Sequence, residues 1–296
     1  MKQKNEKRLP SLAARIPAAF CAFLLTACLL AAAFSLIGLQ AMTSVDLHTG
    51  VALSEDSMNL QMKRIREGIQ NLAERYGFDA ENAAGAVSRE SVEDFDREVV
   101  RWWTGFAGTG RLDSEPVYDT APAEEALRKD EKFISGLEEM MVKSTVEEIS
   151  GGIRETVRKS AVLFRDLLLE TGARLAGTRI NLPQAAELLQ KIPLLAGVGC
   201  LVLSGCIALL MSRRILTAGQ YLGGAMAAAG LLTILILLLL SALNLRGMIA
   251  EASQALEAQY AGLSGILRWE MIGGAALMLA AGCGLMLLAR KEYPKA

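Results

Sequence analysis

The sequence contains one histidine, His48, and its five cysteines, Cys21, Cys28, Cys200, Cys206 and Cys283, all fall inside long uncharged stretches. A metal centre draws on clustered His, Cys, Asp or Glu side chains, so neither a Cys/His site nor a multi-histidine site is available. Nucleophilic catalysis through a histidine base would have to centre on His48, and no Ser or Cys pattern points to it. His48 is expected to be a solvated residue just beyond the first apolar stretch. Nucleotide chemistry lacks its loop as well: there is no Gly-Lys pair to build G-x-x-x-x-G-K-[ST] and no G-x-G-x-x-G. Paired acids do occur, at Glu124-Glu125, Glu138-Glu139 and Glu147-Glu148. Neighbours on a helix point about 100° apart, so these pairs do not converge and are read as solvated helix faces. No cofactor, no metal and no catalytic residue is expected.

Charge is missing from four stretches, 16–39, 194–211, 220–243 and 271–289. A hydrocarbon core of about 30 Å needs roughly 20 helical residues, and each stretch supplies that length or close to it. The first could be mistaken for a cleaved signal peptide, since Lys2, Lys4, Lys7 and Arg8 precede it. Its apolar run exceeds the roughly 7–15 residues of a signal h-region, which favours a retained helix. Leu25-Thr26-Ala27-Cys28 resembles a bacterial lipidation signal, but Leu203-Ser204-Gly205-Cys206 fits the same pattern deep in the chain. Cys28 is therefore read as a helix residue.

Orientation follows from Lys and Arg in short flanking segments, which resist translocation. Segments 1–15, 212–219 and 290–296 together hold 10 basic residues against Glu6 and Glu292, whereas 40–190 holds 27 acidic against 18 basic residues. The expected plan is a cytoplasmic N-terminus (1–15), spans at 16–39, 194–211, 220–243 and 271–289, an extracytoplasmic domain at 40–191, a cytoplasmic turn at 212–219, a short extracytoplasmic segment at 244–270 and a cytoplasmic tail at 290–296. A domain without cysteines or N-x-[ST] sites must fold by packing alone, and this points to a bacterial cytoplasmic membrane. The basic residues face the lipid bilayer, and no nucleic-acid binding is indicated.

Within 40–190 the pattern is helical. Met58, Met62, Ile65, Ile69, Leu72 and Tyr76 place one apolar stripe on a helix opened by Ser54 and closed by Gly77. A second helix is expected from Ser91, capped with Asp94, on the stripe Val92, Phe95, Val99, Trp102 and Phe106; Trp103 is left over as a surface for lipid or a partner. A third is expected from Thr120 and Pro122 to about Glu170, with Val146, Ile149, Ile153 and Val157 on its apolar side and weakened at Gly151-Gly152. A fourth begins at Asn181 and Pro183 and runs into the second span, kinked at Pro193. Leu245, Ile249, Ala252, Leu256, Leu263 and Leu267 suggest that the third span extends outward, and Trp269 and Tyr221 sit near span ends. No strand pattern is present.

The spans carry small residues at helical spacing: Ala196, Cys200, Ser204 and Ala208; Gly219, Gly223 and Ala227; Ala276, Ala280 and Gly284. Small side chains let helices approach, within the chain or between copies in a homo-oligomer. No Asp, Glu, Lys, Arg or His lies in the four core stretches, which argues against an ion-coupled transporter.

The expectation is an all-α protein, a four-helix transmembrane bundle with a large helical extracytoplasmic domain between transmembrane helices 1 and 2. It is read as a non-enzymatic scaffold presenting an acidic surface to a protein or envelope partner. The order of one span, a large outer domain and three further spans resembles the FtsX and MacB family of membrane subunits, which would imply a permease-type subunit serving a separate ATPase. The chain departs from that family at 212–219, which is short for a cytoplasmic coupling helix.

Overall fold

A computed structural model describes residues 12–111, 113–135, 139–161, 182–211, 215–242 and 254–291. All regular structure among them is helical, and the chain divides into two compact units.

One unit comprises Met1–Gln40, Glu187–Asn244 and Gly265–Ala296. It contains α1 (Leu12–Thr43) up to Gln40, most of α9 (Leu182–Leu210), α10 (Ile215–Ala242) and most of α11 (Gln254–Lys291). Each of these four helices is long and apolar enough to cross a membrane. Large apolar side chains stand exposed along all of them, among them Phe23, Leu201, Leu209, Leu238 and Leu277. Such a surface is unfavourable in water and matches a hydrocarbon solvent. Inside the bundle, Ala18 and Leu25 of α1 pack with Ile207 and Met211 at the end of α9 and with Ala218 and Ala225 of α10. Thr26 Oγ1 donates to the Ala22 carbonyl at 3.0 Å and reaches the Ala225 carbonyl at 3.3 Å.

The other unit comprises Ala41–Ala186 and Leu245–Ser264. Its helices are α2 (Val45–Ala52), α3 (Glu55–Tyr76), α4 (Ala80–Ala86), α5 (Arg89–Thr109), α6 (Ala121–Lys129), α7 (Glu131–Ser135) and α8 (Glu139–Ser160). Serines and aspartates begin several of them, and glycines end α3 and α5. Ser44 Oγ accepts from the Leu47 N–H at 3.2 Å, and Asp79 accepts from the Glu81 and Asn82 amides. Gly77 (φ 78°) and Gly110 (φ 71°) close α3 and α5 in the left-handed region that a glycine enters without penalty.

The apolar stripe of α3 is where its spacing put it: Met58, Ile65 and Ile69 are fully buried, with Met62, Leu72 and Tyr76 packed at the margin. It meets Val92, Phe95 and Val99 of α5 and Val146, Ile149, Ile153 and Val157 of α8. Removing each such side chain from water contributes about 1.5–3 kcal/mol, so this core is what holds the unit together in the absence of disulfides. Gly68 lets α3 approach α8 closely, since a Cβ there would collide with Thr156.

Several expectations are corrected. α5 starts at Arg89, and its cap is Ser88, whose Oγ accepts from the Ser91 N–H at 3.1 Å; Ser91 is already in the first turn. The single helix expected from Thr120 to Glu170 is broken at Asp130. Its carboxylate accepts from the Asp79 and Phe133 amides, at 2.8 and 3.1 Å, and so starts α7 while fastening α4. Gly151 and Gly152 both lie within α8, where Gly152 faces Leu72. The part of that expectation beyond residue 161 lies outside the described residues, as does Asn181. α9 does run unbroken through Leu188, Leu189 and Pro193. The expected extension of the third span falls on 243–253, also outside them; from Gln254 onward the chain already belongs to the fourth apolar helix.

Candidate functional site

The small residues expected to pack the bundle divide into two groups. On α10, Gly219 faces Ala289, and Gly223 is so close to α11 that a Cβ would lie 2.6 Å from the Gly282 carbonyl. Gly230 stands in the same relation to the Ala275 carbonyl, at 2.6 Å. Ala227 completes the face: a Cβ built on Gly282 would lie 2.6 Å from Ala227 N and 3.0 Å from its Cβ. The partner face of α11 is therefore Ala275, Leu279, Gly282, Met286 and Ala289. The expected face, Ala276, Ala280 and Gly284, is turned away: Ala276 and Ala280 are exposed, and a Cβ on Gly284 would meet nothing within 4 Å. On α9, Ala196 is buried and Cys200 packs in the core, but Ser204 is only half-buried and Ala208 is exposed; Ile207 and Met211 take the inner positions instead. The reason is common to both helices. Every face of a membrane helix is small or apolar, so spacing alone does not single out the packed one.

Trp103 is also corrected. It is fully buried, while Trp102 is half-buried and donates from Nε1 to the Asp113 carbonyl at 2.8 Å. At about 100° per residue, Trp103 lies about 40° from Val99 and Trp102 about 60° on the other side, so the stripe continues Val99, Trp103, Ala107. Val100 and Ala107, spaced around Trp103, carried that signal in the sequence.

The rings of His48 and Trp103 meet edge to face, with centroids 4.9 Å apart. His48, expected to be solvated, is buried on α2, and its Nε2 lies 2.9 Å from the Ala41 carbonyl, to which it donates. Burial disfavours the imidazolium and lowers the His48 pKa to about 4, against a smaller opposing effect of the Ala41 bond. Seven residues before Trp103 on α5, Asp96 is buried as well, 4% exposed, and accepts from Gln61 Nε2 of α3 at 3.0 Å. Desolvation raises its pKa to about 7; the Gln61 bond works against this and Glu93 adds to it. His48 is thus neutral at pH 7 and Asp96 passes between its two charge states there, and neither was marked by its sequence neighbourhood.

The unit also has an open groove of about 420 Å³ beside α3 and the start of α5, lined by Asn59, Met62, Lys63, Arg66, Glu67 and Arg89. Lys63 lies 3.9 Å from Glu67, and Arg89 lies 3.0 Å from Glu93 while donating to Asn59 Oδ1 at 3.4 Å. The paired acids behave as expected where described: Glu125 and Glu147 pair with Lys129 and Lys143 on their own helices, and Glu148 accepts from the Tyr76 hydroxyl at 2.8 Å. Among the described residues no three His, Cys, Asp or Glu side chains are grouped to hold a metal.

No known protein family, curated protein or solved structure matches the chain.

Proposed function

We propose that the chain is a multi-pass protein of a bacterial cytoplasmic membrane, with both termini in the cytoplasm, whose helical unit stands outside and binds a protein or envelope partner without catalysing a reaction. The observation that carries this reading is that unit's own core, built from α3, α5 and α8. The excess of acid in 40–190, 27 against 18 basic residues, and of base in the flanking segments fits this orientation.

A permease-type subunit of the FtsX and MacB kind is less well supported. α9 ends at Leu210 and α10 begins at Ile215, so the connection has no room for a coupling helix.

Site-specific photo-crosslinking in native membranes tests the proposal. A crosslinker at Val117 or Met141, both exposed, is expected to give a discrete adduct, and one at Val92, fully buried, none. A survey of exposed positions across the unit that gives no adduct above the buried control overturns the reading.

A further inference from the structure

Asp96 is the least expected side chain in the helical unit. An ionised carboxylate offers about four acceptor positions, and in a buried site each one left empty is costly. Among the described residues Gln61 is the one donor within hydrogen-bond reach of it. Around this pair the seam is apolar: Val92, Phe95 and Val99 on one side of α5, and Val100 and Trp103 on the other, are all buried. No cation compensates. On α5, Glu93 is the charged neighbour and opposes ionisation; on α3, Arg64, one turn from Gln61, does not contribute to holding the charge. α2 brings only Asp46, which is exposed, and His48, which burial keeps neutral.

We propose that Asp96 is a proton-operated clasp: protonated, it sits as a neutral group in the apolar seam beside Gln61, and on ionisation the desolvation cost of the bare carboxylate outweighs the stronger Gln61 bond and loosens the seam between α3 and α5. The buried carboxyl binds its proton more tightly in the closed unit than in an open one, so closure is favoured at low pH and lost as pH rises through the folded value of about 7. The consequence is regulatory. An outer unit of this construction changes its order in response to the acidity of the compartment it faces, independently of which partner it binds.

The experiment is hydrogen exchange on the full chain in nanodiscs of zwitterionic lipid at pH 6.5 and 8.5, corrected for intrinsic exchange. Amides of α3 and α5 are expected to lose about fourfold protection at the higher pH, the linkage expected for a folded pKa of about 7. Asp96→Asn is expected to abolish that loss, and Asp94→Asn, at an exposed position of the same helix, to preserve it. Equal protection of the wild type at both pH values overturns the proposal, as does a loss that persists in Asp96→Asn. Should Asp96→Asn not fold, ¹³C-carboxyl NMR of aspartate-labelled wild type decides the matter. One resonance titrating near neutrality supports the clasp, and all resonances titrating in the ordinary carboxylate range refute it.

Discussion

His48 and Asp96 are both buried, and their contributions to stability run against each other. The folded His48 pKa of about 4 lies below the ordinary 6.5, so its contribution is fully present above pH 6.5 and lost as pH falls through 4. The folded Asp96 pKa of about 7 lies above the ordinary 3.8, so its contribution is fully present below pH 3.8 and lost as pH rises through 7. At about 1.4 kcal/mol per pKa unit the two amount to about 3 and about 4 kcal/mol, of opposite slope across pH 4 to 6.5. Urea unfolding of the full chain in nanodiscs, followed by tryptophan fluorescence, is expected to show a shallow profile there. His48→Gln should leave a stability that falls with pH, and Asp96→Asn one that rises. Parallel profiles for the two variants would show that these groups do not titrate as their burial requires. Neither residue could be recognised from sequence, because a lone His or Asp carries no periodicity and only its neighbours in space reveal its burial.

At the scale of helices, legibility depended on contrast. The faces of α3 and α8 alternate between apolar and charged positions, so steps of three and four found Met58, Ile65 and Ile69, and likewise Val146, Ile149, Ile153 and Val157. α5 is buried over a broader arc, from Phe95 and Asp96 to Trp103 and Thr104, and a narrow stripe misassigned its second half. The apolar helices have no such contrast, and the face of α11 was misread by about 140° around the helix. Backbone contact distinguishes the faces where residue type does not. A Cβ on Gly282 would lie 2.5 Å from the Gly223 carbonyl and 2.6 Å from Ala227 N, whereas one on Gly284 meets nothing. Gly282→Ala is therefore expected to destabilise the bundle by about 1–3 kcal/mol, because backbone cannot yield as a flexible side chain does. Gly284→Ala should be neutral or slightly stabilising, since alanine is the better helix former. SDS-driven unfolding of the two variants checks this, and equal behaviour would restore the face read from spacing.

For the whole molecule, the distribution of charge sets which parts cross the membrane. Ten basic residues in 1–15, 212–219 and 290–296 face two acids, while the long segment 40–190 is acidic and carries no cysteine. Short basic segments resist translocation far more than long ones, so the proposed topology has the helical unit cross while the segment bearing Arg213 and Arg214 stays. Replacing the five native cysteines, all within the apolar stretches, gives a background for single-cysteine probes. Ser114→Cys, exposed in the connection after α5, should react with a membrane-impermeant maleimide added to intact cells. Ser212→Cys should react only after the membrane is opened. The reverse pattern would place the helical unit in the cytoplasm, and the acidic surface offered to an envelope partner would then face the wrong compartment. Labelling of both probes from outside would mean that the second and third apolar helices do not form a membrane hairpin. Replacing Arg213 and Arg214 with Asn should weaken the bias and yield a mixed population, because these two residues are the only fixed positive charges between α9 and α10.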